Sequence, residues 1–471
     1  MEILLRRTAE LAAQFVRSLP DRHVGSRADV DDLRRRLAIA LPEGSTDPAV
    51  VIEDLARDAE PGIVASAGPR YFGFVIGGTL PSAMAADWLT SAWDQNAGIY
   101  AAGPAASVVE EAVRDWLLEL LDLPRGSGVG LVTGCQMAHF TCLSAARNVV
   151  LERAGWSVAE DGLFGAPEID VMVSTEAHAS VGSALGQLGL GRARVIPVDT
   201  DAQGRMSTGA FEVALPRDGR PLIVCLQAGN VNTGAFDPFD PIIDLARARS
   251  NTWVHVDGAF GLWARVSPTR AGLATGADRA DSWAADGHKW LNVPYDCGYA
   301  IIADPVAHRA AISPPTAAYI EYGQTTRDPF DWVPEYSRRA RGFATYAAIR
   351  ALGRSGVRDL VDRGCHLTQR MADRLGATPG VEVLAEVVLN QMLVRFHPDD
   401  DGTPDALTRD VITRVQDDGT CWVGGTTWHD MAAMRISVSN WSTTAADIDR
   451  SADAMLRCFA AARSAARNRA F

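Results

Sequence analysis

Pro221-Leu222-Ile223-Val224-Cys225-Leu226-Gln227, Thr252-Trp253-Val254-His255-Val256-Asp257-Gly258 and Ser282-Trp283-Ala284-Ala285-Asp286-Gly287-His288 are three short apolar runs. Each ends in polar or small residues, and each is separated from the next by enough chain for a helix. Working outward, GVGLVTG (128–134), IDVMVST (169–175) and ARVIPVD (193–199) precede them and GYAIIA (298–303) follows. Runs of this length, most of them β-branched and bounded by turn formers, predict strands. Strands alternating with helices predict parallel βαβ units whose sheet is covered on both faces. In such sheets ligands gather beyond the carboxyl ends of the strands.

Upstream, the amphipathic stretch from Val108 to Leu123 is stopped by Pro124 and Gly126. Residues 1–60 predict a helical segment with a polar linker around Leu41–Ser45; residues 61–330 predict a large domain. After 330 the pattern changes. A helix from Arg341, a run NQMLVRF, a helix near 404–417 and a run MRISVSN predict a smaller C-terminal α/β domain over 331–471. The composition, 47% hydrophobic and 22% charged over 471 residues, is that of a globular chain. A net charge of −13 argues against nucleic acid or an anionic membrane surface as partner. No apolar run reaches the ~18 residues of a membrane span. The N-terminus lacks the basic and apolar regions of a secretory signal. Seven scattered cysteines with no CxxC pair suggest neither a disulfide framework nor a metal site, and a reduced cytoplasmic protein is expected.

Four strand ends carry chemistry. In Asp286-Gly287-His288-Lys289-Trp290, a lysine sits on a strand-end turn between a histidine and an aromatic. It reads either as a stem packed over Trp290 with its ammonium in water, or as a desolvated amine of depressed pKa able to form an imine with a carbonyl cofactor. Asp257 ends a buried run and is followed by Gly258 and Ala259. It reads as a helix cap or as the carboxylate that pyridoxal phosphate (PLP) needs at its ring nitrogen. His178, just beyond another run, is a satisfied histidine or one stacked on a flat heterocycle. Thr133-Gly134-Cys135-Gln136 joins a run to a helix, where backbone N–H groups can bind a phosphate; many such turns bind nothing.

The order of these signals (anion turn, His, Asp, Lys) resembles the group II PLP-dependent decarboxylases of aromatic amino acids, histidine and glutamate. The resemblance spans nearly the whole chain. It covers Pro69-Arg70-Tyr71-Phe72-Gly73-Phe74, Pro104, Glu110, Trp116-Leu117, the stretch 130–147, and the blocks around His178, Asp257 and Lys289. It continues through Trp332, Arg338-Arg339 and Met434-Arg435-Ile436-Ser437. It implies the fold type I, aspartate-aminotransferase-like architecture and a homodimer with the site at the interface, the N-terminal segment packing on the partner. It further implies a Schiff base on Lys289, Asp257 at the pyridine nitrogen, His178 on one ring face and Ala259 on the other. The phosphate would lie on Gly134, Cys135 and Gln136 with help from His288, and Asn230 near the ring hydroxyl.

Two departures stand out. At the position of the family's proton-donating loop tyrosine the chain has Pro329, followed by Phe330; Tyr319 and Tyr322 are alternative donors. In the expected substrate pocket, which takes in Phe74 and Phe330, Val75-Ile76 and Ala97-Gly98 fall where aromatic-specific relatives carry bulkier groups. The leading expectation is decarboxylation of an L-amino acid to its amine. Its rivals are an oxygen-consuming aldehyde synthase or oxidative deaminase, another PLP reaction at Cα such as transamination or aldol-type cleavage, and a silent binding protein.

Overall fold

The computed structural model describes residues 1–313, 326–399 and 402–469. All seven runs form strands: β1 (Gly128–Val132), β2 (Asp170–Ser174), β3 (Val195–Val198), β4 (Leu222–Gln227), β5 (Thr252–Asp257), β6 (Ser282–Asp286) and β7 (Gly298–Ile302). They make one sheet in the order β1-β7-β6-β5-β4-β2-β3. The pairs β2–β3, β2–β4, β4–β5 and β5–β6 are parallel. Strand β7 is antiparallel to both β6 and β1, so β1 runs in the same direction as β6. This is the mostly parallel α/β sheet expected from the alternation.

Strands β1, β2, β4, β5, β6 and β7 are buried at every position, and the polar side chains among them, such as His255, Asp257, Ser282 and Asp286, are buried with the apolar ones. Helix Cys135–Arg153 packs on the sheet through Ala138, Cys142, Leu143, Ala145, Ala146 and Val150. Small residues on this face let the helix axis approach the strands closely, which brings its first turn against the β6–β7 connection.

The chain forms two compact units, Gly77–Thr368 with Ala385–Met392, and Met1–Ile76 with Gln369–Leu384 and Leu393–Phe471. These limits differ from a division at residues 60 and 330, for identifiable reasons. Arg338 ties the segment after 330 to the large sheet: it pairs with Glu110 at 2.6 Å and donates to the carbonyls of Ala97 and Leu131. Residues 61–76 instead belong with the C-terminal unit. There Arg70 donates to the Thr420 and Pro20 carbonyls, Phe72 N–H bonds Trp422, and Ser437 N–H bonds Phe72. That unit holds a four-stranded sheet in the order β10-β11-β9-β8, from β8 (Val381–Val383), β9 (Gln391–Phe396), β10 (Gly424–Trp428) and β11 (Met431–Ser437). Among the described residues no helix is long and apolar enough to cross a membrane.

Candidate active site

Strands β1, β2, β5 and β6 share one direction, so their carboxyl ends form one row. Gly134, His178, Asp257 and Lys289 each follow or end one of them. Asp286, the last residue of β6 and 1% exposed, organises the lysine. One of its carboxylate oxygens accepts the Cys135 N–H at 2.7 Å, at the start of helix Cys135–Arg153, where the helix dipole favours an anion. The other lies 3.0 Å from Lys289 Nζ. Burial pulls the Lys289 ammonium toward the neutral amine, but the charges of Asp286 and Asp257 outweigh it and the net shift is upward. This direction is opposite to that of a depressed amine: desolvation lowers the pKa, and Asp286, Cys135 and Asp257 together outweigh it. Trp290 is buried, so it is no surface platform for the lysine stem.

Asp257 is buried at the end of β5, where one oxygen accepts the Ala259 N–H at 3.2 Å and lies 3.9 Å from the Cys135 thiol. The other faces His139 Nε2 at 3.5 Å. Burial alone would raise its pKa; His139, Lys289 and His178 outweigh that and hold the carboxyl well below the usual range. His178 is exposed and caps helix Ala179–Gln187, its Nδ1 accepting the Ser180 N–H and bonding the Ser180 hydroxyl at 2.6 Å. Ala259 is partly buried beside Asp257. His288 stacks on Tyr295 with ring centroids 4.4 Å apart, and its Nδ1 accepts the Cys297 N–H. Burial pushes its pKa down.

Asn230 lies in the turn after β4. Its side-chain oxygen accepts the Asn232 and Thr233 N–H groups and its nitrogen donates to the Glu176 carbonyl, so its amide holds the turn after β4 together. The Cys135 amide is likewise committed to Asp286, which leaves Gln136 and Met137 to supply the first-turn N–H groups for an anion. Phe74 and Val75 lie in the other compact unit, Phe74 exposed and stacked on Trp422, Val75 buried. Ala97 is a core residue packed with Ala106, Ala340 and Phe343. A Cβ on Gly98 would stand 2.3 Å from the Tyr336 carbonyl oxygen, so close backbone approach is what calls for its missing side chain. Pro329 and Phe330 are buried in a 3-10 turn, with the Phe330 N–H bonded to the Gly98 carbonyl. Tyr319 and Tyr322 fall outside the described residues.

The sequence reading missed Asp286 as a site residue, although it stands in the quoted block. It also missed His139 and His255, whose contact joins two elements, and Gly77, where a Cβ would stand 1.8 Å from the Lys289 carbonyl oxygen. The residues fit PLP on the structure's own terms. The Lys289 amine lies 3.0 Å from the Asp286 carboxylate, and Asp257 is a buried carboxylate at the neighbouring strand end; among the described residues the buried Gln136 side-chain nitrogen has no hydrogen-bond partner; and a Cβ on Gly134 would stand 2.9 Å from the His288 ring. Cys135, His139 and Asp257 also bring one possible metal-binding atom each within 4.8 Å of one another, but burial pushes the Cys135 thiol up and keeps it a poor metal ligand.

Residues 31–397 match the pyridoxal-dependent decarboxylase conserved domain. The chain is 26% identical over 448 residues to an aromatic-L-amino-acid decarboxylase of Bacillus atrophaeus, covering 92% of this chain and 90% of that one. It is 29% identical over 382 residues to the L-2,4-diaminobutyrate decarboxylase of Rhizobium meliloti, covering 79% and 73%. A crystal structure of Oryza sativa TDC with PLP and tryptamine superposes with a TM-score of 0.90 at 21% identity over 98% of this chain and 97% of that one, a likeness of fold. The chain belongs to the pyridoxal-dependent decarboxylase family, and it is a PLP-dependent carboxy-lyase acting on an L-amino acid.

Proposed function

We propose that the row of strand ends from Gly134 to Lys289 is the decarboxylation site, with Lys289 Nζ holding the cofactor at its aldehyde carbon. The observation that carries this reading is the Asp257 carboxylate, kept ionised at the end of β5 on the strand beside the one that bears Lys289. Bound PLP supplies the electron sink for the pair left at Cα when CO2 departs. Asp257 holds a proton at the pyridine nitrogen, and His178 and Ala259 cover the two faces of the ring. Gln136, Met137 and His288 face the phosphate, while Asp286 keeps the Lys289 amine oriented and ready to take or return a proton. Asn230 acts through the turn it organises.

The protein works as a homodimer. Helix Glu2–Ser18 has no buried residue, and its Ile3 and Leu5 are 85% and 57% exposed, an apolar stripe suited to a second copy. The seven cysteines are all free and buried, consistent with a reducing cytoplasm.

The test is product analysis by mass spectrometry, with PLP-loaded protein and a panel of L-amino acids in air. An amine that has lost only CO2 supports the reading; a product retaining the carboxylate sinks it. Lys289→Ala abolishes the visible absorption of protein-bound cofactor, and a variant with an unchanged spectrum would remove Lys289 from its role. One observation favours a second reading: Pro329 and Phe330 are buried and carry no protic side chain. An aldehyde formed with CO2, ammonia and peroxide, at the expense of oxygen and water, would establish that chemistry instead.

A further inference from the structure

Behind Asp257, away from the row of strand ends, the interior carries polar groups that the chemistry above does not use. His139, on helix Cys135–Arg153, points Nε2 at Asp257 Oδ2 from 3.5 Å. Among the described residues this nitrogen has no hydrogen-bond partner, so the carboxylate is its nearest counterpart. His139 Nδ1 lies 2.9 Å from His255 Nε2, and His255 Nδ1 lies 2.9 Å from the Ser282 hydroxyl. Ser282 Oγ in turn accepts the Trp253 indole N–H at 2.9 Å. His139, His255 and Ser282 are wholly buried.

A single assignment of protons satisfies the hydrogen bonds of this chain. The indole proton occupies one lone pair of Ser282, whose own proton goes to His255 Nδ1. Burial above all pushes the His255 pKa down to about 3, so this ring carries one proton, on Nε2, donated to His139 Nδ1. The proton of His139 is then on Nε2, toward Asp257. Every donor in the line points at the carboxylate. In a dry interior such lines polarise one another, and an unmatched member is costly.

We propose that His139, His255 and Ser282 form a buried positioning relay that fixes the orientation and charge of Asp257, and so makes the site select a protonated ring nitrogen in its cofactor. The proposal rests on the reading of Asp257 as the partner of the pyridine nitrogen. A cofactor isostere with C–H in place of that nitrogen keeps the aldehyde and phosphate and lacks only the group that the relay serves.

The experiment measures the dissociation constants of PLP and of this carbocyclic isostere for full-length protein stripped of cofactor, by equilibrium dialysis. Native protein prefers PLP. His139→Leu lowers that preference by about threefold to tenfold, the scale of one modest polar contact to a carboxylate, and Ser282→Ala lowers it by a smaller factor of about two. A folded His139→Leu that weakens both ligands equally, or neither, overturns the relay, since a merely structural histidine cannot tell the rings apart. Should His139→Leu fail to fold, Ser282→Ala decides alone, and an unchanged preference overturns the proposal. Asp257→Leu separates the two levels. If it retains the preference for PLP, the assignment of Asp257 itself fails; if it loses the preference while the relay variants keep it, only the relay fails.

Discussion

Replacing Asp286 by asparagine removes one charge from the site and almost no volume. The amide oxygen can still accept the Cys135 N–H, so the anchorage of β6 to helix Cys135–Arg153 survives. What disappears is the ion pair at 3.0 Å with Lys289. At an effective dielectric constant of ~20, two unit charges at this separation attract by roughly 5.5 kcal/mol. The Lys289 side chain is 21% exposed, and water screens part of this. Discounting the attraction by about half leaves ~3 kcal/mol in favour of the charged amine. The direction follows from the balance at Lys289, where burial favours the neutral amine and Asp286 is the largest opposing influence. Asp286→Asn therefore moves the titration of Lys289 downward. The assay is pH-dependent acylation of cofactor-free protein, read at the Lys289 peptide by mass spectrometry. In the variant the labelling rises at lower pH than in native protein, and the variant forms its cofactor adduct faster near neutrality. An unchanged labelling profile would refute the account, because it would mean that solvent, not Asp286, sets the charge of the lysine.

Arg338 and Glu110 form a fully buried pair in the large unit, each side chain 1% exposed. Arg338→Met leaves the carboxylate unmatched and costs about 3–5 kcal/mol in urea unfolding, whereas the double change to apolar residues costs less; equal losses would contradict the pairing. His255 and His308 are both held neutral by burial down to about pH 3, below the ordinary value of 6.5. The unfolded chain binds those protons first, so the stability they contribute is complete above 6.5 and falls as pH drops toward 3. The slope is up to about 1.4 kcal/mol per pH unit for each histidine. Unfolding free energies measured from pH 7 to 4 test this, and His308→Gln removes one proton from the slope.

The strands of the large sheet were legible because a buried strand needs little beyond a short β-branched run between turn formers. The candidate residues could be read as a set because a parallel sheet places its strand ends together, so Gly134, His178, Asp257 and Lys289 could be aligned without knowing the packing. Illegible were features set by contact between distant segments. The antiparallel insertion of β7 between β1 and β6 depends on pairing, not on composition. The small size of Gly98 is explained by a backbone carbonyl from Tyr336, and no local pattern distinguishes that from an open pocket wall. Lys289 shows the same limit in electrostatics. Its burial could be read from its neighbours, but the sign of its shift depends on two carboxylates, and the block reveals only one.

The two carboxylates that flank Lys289 are held by a single element. Cys135 and His139 stand four residues apart, on the same face of helix Cys135–Arg153. The first uses its backbone N–H to hold Asp286; the second turns its imidazole to Asp257. Asp286 ends β6 and Asp257 ends β5, and these strands are neighbours in the sheet. One helix face therefore sets the position of both anions against one rigid pair of strands. This explains why the helix starts where it does. A Cβ on Gly298 would stand 2.5 Å from the Gly134 Cα, so the backbone of β7 and the start of the helix are already at their closest separation. A side chain there would press on the start of the helix and on Asp286 itself, and so disturb the Cys135 amide that holds this carboxylate. The electrostatics around Lys289 thus belong to the packed interior, whereas His178 is exposed.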